Sequence, residues 1–288
     1  SRAPSGRAAT SWPSARSRWK SSFAHGLSRN TPVWTVLALF PPIPPALRPS
    51  VYISHGPSAQ QTLRRFQSHA SCAGSQRALA QACARRDALL VHYSTDYVFD
   101  GSKGSPYVET DQPNPLNVYG VSKLRGDEAV LESGGAGIIL RTSWVYSLRQ
   151  AGFVSKVLSW ARQQEVMRIV DDQVSGPTSS RMLAEASALM IARASELLYD
   201  YFSERAGVYH LAGDGACSRY EWARAIIALD PHKNEHKVRE IIPAKSVEFP
   251  TLATRPLVSV LNCDKFADVF GLRMPPWEVG LGMMLEEG

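Results

Sequence analysis

The chain has 288 residues, a formal net charge of +6, 44% hydrophobic and 20% charged residues, enough for a packed core and ordinary for a soluble protein. The charge is uneven: the first 86 residues hold 12 Lys/Arg and no Asp or Glu, whereas the remaining 202 hold 20 Lys/Arg against 26 Asp/Glu. A basic segment therefore precedes a mildly acidic body, and the overall positive charge is no argument for a nucleic-acid partner.

Residues 1–70 are rich in Ser, Arg and Pro, with no sustained period of 2 or 3.6. Such text fits a disordered stretch, a transit-like leader or an out-of-frame reading of GC-rich coding sequence. Its best apolar run, 33–40, is stopped by Pro41, Pro42, Pro44 and Pro45, far short of the roughly 18–20 residues of a membrane span. Residues 1–74 are thus expected to be an atypical segment of low order.

Regular text begins near Ser75. Residues 77–85 predict a helix and 88–93 a short apolar strand of the buried parallel kind. A loop rich in Gly, Pro and Asp runs over 95–117. A helix follows over 118–132, stopped by Gly134, Gly135 and Gly137. Strands are then expected at 138–142, 166–170 and 208–211, and helices at 152–164, 180–199 and 218–229. This alternation predicts an α/β body with a doubly wound parallel sheet. Beyond Asp230 the text turns to short, Pro-punctuated elements, which fits a smaller C-terminal lobe. Four scattered cysteines (Cys72, Cys83, Cys217, Cys263), with no CxxC pair, argue against a zinc or disulfide framework and fit reduced thiols in the cytoplasm.

Chemistry enters at Tyr119-Gly-Val-Ser-Lys123, on a predicted helix. Positions i and i+4 share a face, so the phenol and the ammonium can look into one cleft. A phenol is a poor acid or base partner at neutral pH, and a neighbouring cation is expected to lower its pKa. Alone this spacing is a weak signal. It gains weight from Tyr93-Ser94-Thr95-Asp96-Tyr97 at the C-terminal end of a predicted strand, where open parallel sheets bind ligands. A hydroxyl there can hydrogen-bond a substrate carbonyl beside the tyrosine.

Four ordered motifs carry a resemblance. His92-Tyr-Ser-Thr-Asp-Tyr-Val-Phe99, Pro115-Leu-Asn-Val-Tyr-Gly-Val-Ser-Lys123, Arg141-Thr-Ser-Trp-Val-Tyr146 and Asp172-Gln-Val-Ser-Gly-Pro-Thr178 resemble the successive motifs of the dTDP-4-dehydrorhamnose reductase family, extended short-chain dehydrogenases/reductases, over about 75–288. The resemblance implies a Rossmann-like sheet and a substrate lobe built from about 147–180 and 215–288. It implies reduction of dTDP-4-dehydro-6-deoxy-L-mannose to dTDP-L-rhamnose, with NADPH or NADH as cofactor, in nucleotide-sugar and surface-polysaccharide synthesis. Tyr119 would be the general acid and Thr95 would polarise the carbonyl. Lys123 would hold the nicotinamide ribose and lower the tyrosine pKa. Asp96 and Trp144 would lie against the sugar nucleotide and Tyr93 near the cofactor. Dehydratases of the superfamily carry an Asp-Glu pair after the Thr; here Tyr97 follows Asp96, which favours reduction over dehydration.

The chain also departs from the family. Residues 1–70 contain only Gly6, Gly26 and Gly56, with no G-x-G-x-x-G or G-x-x-G turn to receive a pyrophosphate at a helix N-terminus. The later Asn-Ala-Ala type segment is missing too, and weakened cofactor affinity is the expected consequence. Arg181 stands where members with an interfacial Mg²⁺ have an acid, so no metal is expected, and the chain is expected to be a monomer or weak homodimer without membrane or nucleic-acid partners. Two other readings remain: a non-catalytic binding subunit of the methionine adenosyltransferase regulatory type, and a sugar-nucleotide epimerase. Plainer readings stand beside the site residues as well. Tyr119 and Lys123 suit a surface pair, Trp144 and His92 the core, Asp96 a turn cap, Met283-Met284 helix packing, and His232, Glu235 and His236 a solvated helix end.

Overall fold

The computed structural model describes residues 51–54, 69–149, 151–194 and 197–286. Among the described residues the main sheet has four strands, β1 (Val51–Ser54), β2 (Leu89–Thr95), β3 (Gly137–Thr142) and the strand Gly207–His210, lying side by side in that order. All three pairings are parallel, and Thr95 pairs with Thr142 at the carboxyl ends of the two inner strands.

The inner strands read as continuous apolar runs because both of their faces are covered. On one face Leu90 and Ile139 pack with Ala80 and Cys83 of helix α1 (His69–Ala84) and Val130 of α2 (Val118–Leu131). On the other, Leu89, Val91, Ile138 and Leu140 meet Leu183, Met190 and Ile191 of a helix spanning Ser180–Ala192, together with Phe202, Phe266 and Phe270. Helices on both faces of a parallel sheet make this a Rossmann-like, doubly wound fold. A second apolar core gathers around Trp222. It is built from α3 (Phe153–Gln163), β4 (Val166–Val170) and the helices Arg219–Leu229 and Trp277–Glu286, with β4 paired in parallel to the strand Glu240–Ala244. The helix Asp264–Phe270 lies with the first core, although it comes late in the chain.

Several expectations need correction. Most of the segment 1–74 lies outside the described residues, but its Val51–Ser54 stretch is a sheet strand and α1 begins at His69, ahead of the expected boundary. The helix expected over 180–199 stops at Ala192, where the Arg193 and Ala194 amides bond three residues back, to Met190 and Ile191, and tighten the last turn. A separate helix spans Leu198–Ser203. His236 is not part of a solvated helix end: its ring lies 2.7 Å from Asp230, with a side chain 7% exposed. Among the described residues, no helix is long and apolar enough to cross a membrane, and no three His, Cys, Asp or Glu residues gather to hold a metal ion.

Candidate active site

The site stands at the carboxyl edge of the main sheet. Where β2 ends, the Thr95 hydroxyl accepts the Tyr97 amide at 3.2 Å and caps a single 3₁₀ turn, Asp96–Val98. Helix α2 is capped by Asn117, whose side chain accepts the Gly120 amide at 2.9 Å. The glycine after Tyr119 is required by space: a Cβ at residue 120 would stand 2.2 Å from the Tyr97 carbonyl oxygen. Only with that close approach does the first turn of α2 press against the strand tip and put the Tyr119 phenol within hydrogen-bonding reach of Thr95. One turn on, Lys123 is 7% exposed and its ammonium donates to the Tyr93 main-chain carbonyl. Phenol, ammonium and threonine thus meet at one strand end.

The same helix is anchored from below. Asp127 accepts from Arg141 at 3.1 Å and lies 3.4 Å from His92, with all three side chains buried. Burial pushes the Asp127 carboxyl up, but His92 and Arg141 outweigh it and hold the pKa below the usual carboxylate range. Burial, reinforced by Lys123, lowers the His92 pKa, so this ring is neutral at physiological pH.

The electrostatics of Tyr119 reverse the expected sign. Burial pushes its phenol up to about 12, against the hydrogen bond to Thr95 and with Asp96 and Tyr97 adding to the rise. Considering only the ammonium four residues away leads to a lowered value; enclosure by the rest of the fold overrides it. The phenol therefore remains protonated at neutral pH and is equipped to donate.

Asp96 and Tyr93 do not sit as expected. Asp96 is 2% exposed, and its carboxylate accepts from Thr95 at 3.1 Å, Ser259 at 2.6 Å and Ser175 at 3.4 Å. Its oxygens satisfy hydroxyls from three parts of the chain. Burial raises its pKa to about 6. The Tyr93 phenol donates to Ser187 at 2.7 Å, and it is the residue's carbonyl that meets Lys123.

Trp144 follows β3 with a φ of 39°, a left-handed conformation that a bulky side chain adopts only under constraint. Its ring stacks on Trp222 at 5.5 Å between centroids, and the Arg219 guanidinium covers it at 3.5 Å. Ser143 donates to the Gly176 carbonyl at 2.6 Å, and the Thr178 amide bonds the Trp144 carbonyl at 3.3 Å. With Ser175 on Asp96, these contacts bring all four sequence motifs to one place.

The family pattern of the RmlD substrate binding domain matches residues 64–288. The dTDP-4-dehydrorhamnose reductase of Burkholderia thailandensis is 40% identical over 213 residues, 73% of this chain and 71% of that protein. That of Escherichia coli K12 is 36% identical over 217 residues, 75% and 71% of the two chains. The chain belongs to the dTDP-4-dehydrorhamnose reductase family. Among solved structures, the Bacillus anthracis dTDP-4-dehydrorhamnose reductase in complex with NADP superposes with a TM-score of 0.70 at 30% identity, covering 83% of this chain and 81% of that one.

In the light of the reductase family, the described residues fit the nicotinamide end of a dinucleotide. A buried ammonium beside a strand-tip carbonyl and a protonated phenol next to a threonine suit a ribose and a reacting carbonyl. The pyrophosphate end lacks the glycine-rich turn of the reductases: residues 55–68, between β1 and α1, lie outside the described residues and contain Gly56 alone. Sequence reasoning missed Ser175, Ser259, Arg219 and Arg255 around the site. Ser175 lay within a quoted motif, but the pairing of both serines with Asp96 depends on contacts 79 and 163 residues apart.

Proposed function

We propose that the chain reduces dTDP-4-dehydrorhamnose to dTDP-L-rhamnose, using NADPH or NADH. The observation that carries this reading is the protonated Tyr119 phenol beside Thr95 and one turn from Lys123 at the sheet's carboxyl edge, in a chain of the reductase family. The bound nicotinamide supplies a hydride to C4 of the sugar. Tyr119 gives its proton to the C4 oxygen, so that the carbonyl ends as an alcohol and the phenol as a phenolate to be reprotonated from solvent. Thr95 hydrogen-bonds the same oxygen and aligns the phenol. Lys123, fixed at the Tyr93 carbonyl, holds the ribose hydroxyls and offsets the negative charge on the tyrosine after transfer.

In this reading Trp144 forms the sugar-facing wall, and Asp96 acts indirectly by orienting Thr95. Residues of about 147–180 and 215–288 form the lobe that receives the dTDP-sugar. The chain would work in the cytoplasm as a monomer or weak homodimer, without metal, membrane or nucleic acid. The regulatory-subunit and epimerase readings are not favoured, since the Burkholderia thailandensis and Escherichia coli relatives are named reductases.

Purified protein mixed with NADPH and the dTDP-4-keto sugar is expected to consume NADPH. Tyr119→Phe should lower that rate at least ~100-fold, the usual share of a positioned acid. Equal rates for the two proteins would remove Tyr119 from the acid role.

A further inference from the structure

Asp127 follows Tyr119 and Lys123 at successive four-residue steps along α2, so the three share one face of the helix. At about 1.5 Å per residue it lies roughly 12 Å along the axis from Tyr119, out of contact with the reacting atoms. It is nonetheless 1% exposed and tied to two strands at once. His92 of β2 is 3.4 Å from its carboxylate and Arg141 of β3 donates to it at 3.1 Å, with Ser94 of β2 within reach as well.

Each of those partners adjoins a group of the site. His92 precedes Tyr93, whose carbonyl receives the Lys123 ammonium. Ser94 precedes Thr95, and Arg141 precedes Thr142, which pairs with Thr95 across the sheet. Helix and strand also approach closely at both ends of this contact. A Cβ at residue 120 would meet the Tyr97 carbonyl oxygen at 2.2 Å, and one at residue 126 would meet His92 Nε2 at 3.3 Å. Between these points α2 has little room to roll or slide, and Asp127 is the directional joint at the lower one. Replacing a buried ion pair by apolar side chains of the same shape is often neutral for stability or better, because desolvation offsets the attraction. Stability alone therefore does not account for a carboxylate here.

Accepting the reductase reading above, we infer that Asp127 is a positioning residue for the proton transfer, fixing the height and roll of α2 so that the Tyr119 phenol meets Thr95 and the substrate oxygen. It touches neither substrate nor cofactor and acts through Tyr119. Its carboxylate is ionised at neutral pH, since His92 and Arg141 outweigh burial, and both oxygens can accept. An asparagine keeps the volume but loses one acceptor and the charge that holds Arg141. A displacement of about 1 Å can cost ~100-fold in rate where transfer depends on near-attack geometry. In this reading the second lobe receives the dTDP-sugar, so the loss falls on kcat rather than KM.

The test is a kinetic cycle on the full chain, with rates expressed per folded molecule. Asp127→Asn should lower kcat at least ~10-fold and leave KM for the sugar nucleotide within about twofold. In a Tyr119→Phe background the same substitution should change the residual rate less than about twofold, because no phenol is left to place. Asp127→Glu, which restores the carboxylate, should recover most of kcat. Val130→Ala loosens the packing of the same helix without touching a charge, and its kcat should stay near that of wild type. An unchanged kcat in Asp127→Asn, an equal loss in both backgrounds, no recovery with glutamate, or an equal loss in Val130→Ala would each overturn the positioning role. Those results, with wild type still consuming NADPH, leave the reductase reading standing. Absence of turnover in wild type sinks that reading and this inference with it. Should Asp127→Asn fail to fold, His92→Phe takes its place in the cycle: a kcat loss confined to the Tyr119 background is expected, and an equal loss in both backgrounds, or none, overturns the role.

Discussion

Two arginines flank the active site and are treated in opposite ways. Arg141, on the sheet, is buried against Asp127 beneath helix α2. Arg219, beside the second core, lies over the rings of Trp144, Phe153 and Trp222. A charge paired with a buried carboxylate fixes a helix to a strand, whereas one laid over aromatic faces is held by their quadrupoles and packs a core. The paired side braces the helix that carries the phenol and the ammonium; the stacked side packs the aromatic corner at Trp144.

That contrast can be broken most forcefully on its paired side. Asp127→Ala leaves Arg141 without its buried counter-charge and removes the partner of His92, and should cost about 3–5 kcal/mol of stability, read as a lower urea midpoint. A loss below about 1 kcal/mol would show that the cluster does not brace the helix. A second comparison concerns pH. Asp96 has a folded pKa of about 6, above the roughly 3.9 of an unfolded aspartate. Its contribution is therefore fully present below about pH 4 and is lost as pH rises through about 6, a change of about 3 kcal/mol. His210, lowered by burial to about 3, acts in the opposite sense, its contribution being lost as pH falls below about 6.5. The difference between Asp96→Asn and wild type at each pH isolates the first effect: the variant should gain on wild type from pH 4 to 7, and parallel curves would refute the assignment. The smallest effect sharpens the role of the strand tip. Thr95→Val should reduce turnover about 10-fold with dTDP affinity retained, because it removes one hydrogen bond at the reacting oxygen and none at the phosphates.

Much of this was legible in the sequence where the signal is local. The apolar runs at 88–93 and 138–142, the i and i+4 pair at Tyr119 and Lys123, and the hydroxyl at the strand end are short-range patterns, and each has its counterpart in the fold. What escaped depends on distant parts of the chain. The burial of Asp96 involves Ser259, the rise in the Tyr119 pKa comes from enclosure by the fold, and Arg219 meets Trp144 from a distant part of the chain. No periodicity marks Arg219; its only local companion is the Ser218/Glu221 capping box, which announces a helix and nothing else. The end of the helix at Ala192 escaped for a related reason, since its stop lies in main-chain bonds rather than in a glycine or proline.

The hydrogen bond from Ser259 to Asp96 closes a loop of 163 residues. During synthesis the strand bearing Thr95 leaves the ribosome long before its latch does, so the nascent polypeptide carries an unfinished catalytic edge until Ser259 emerges. Contacts of such sequence separation also form slowly once the chain is free. Competence for turnover should consequently appear late in refolding, after most of the helical signal has recovered.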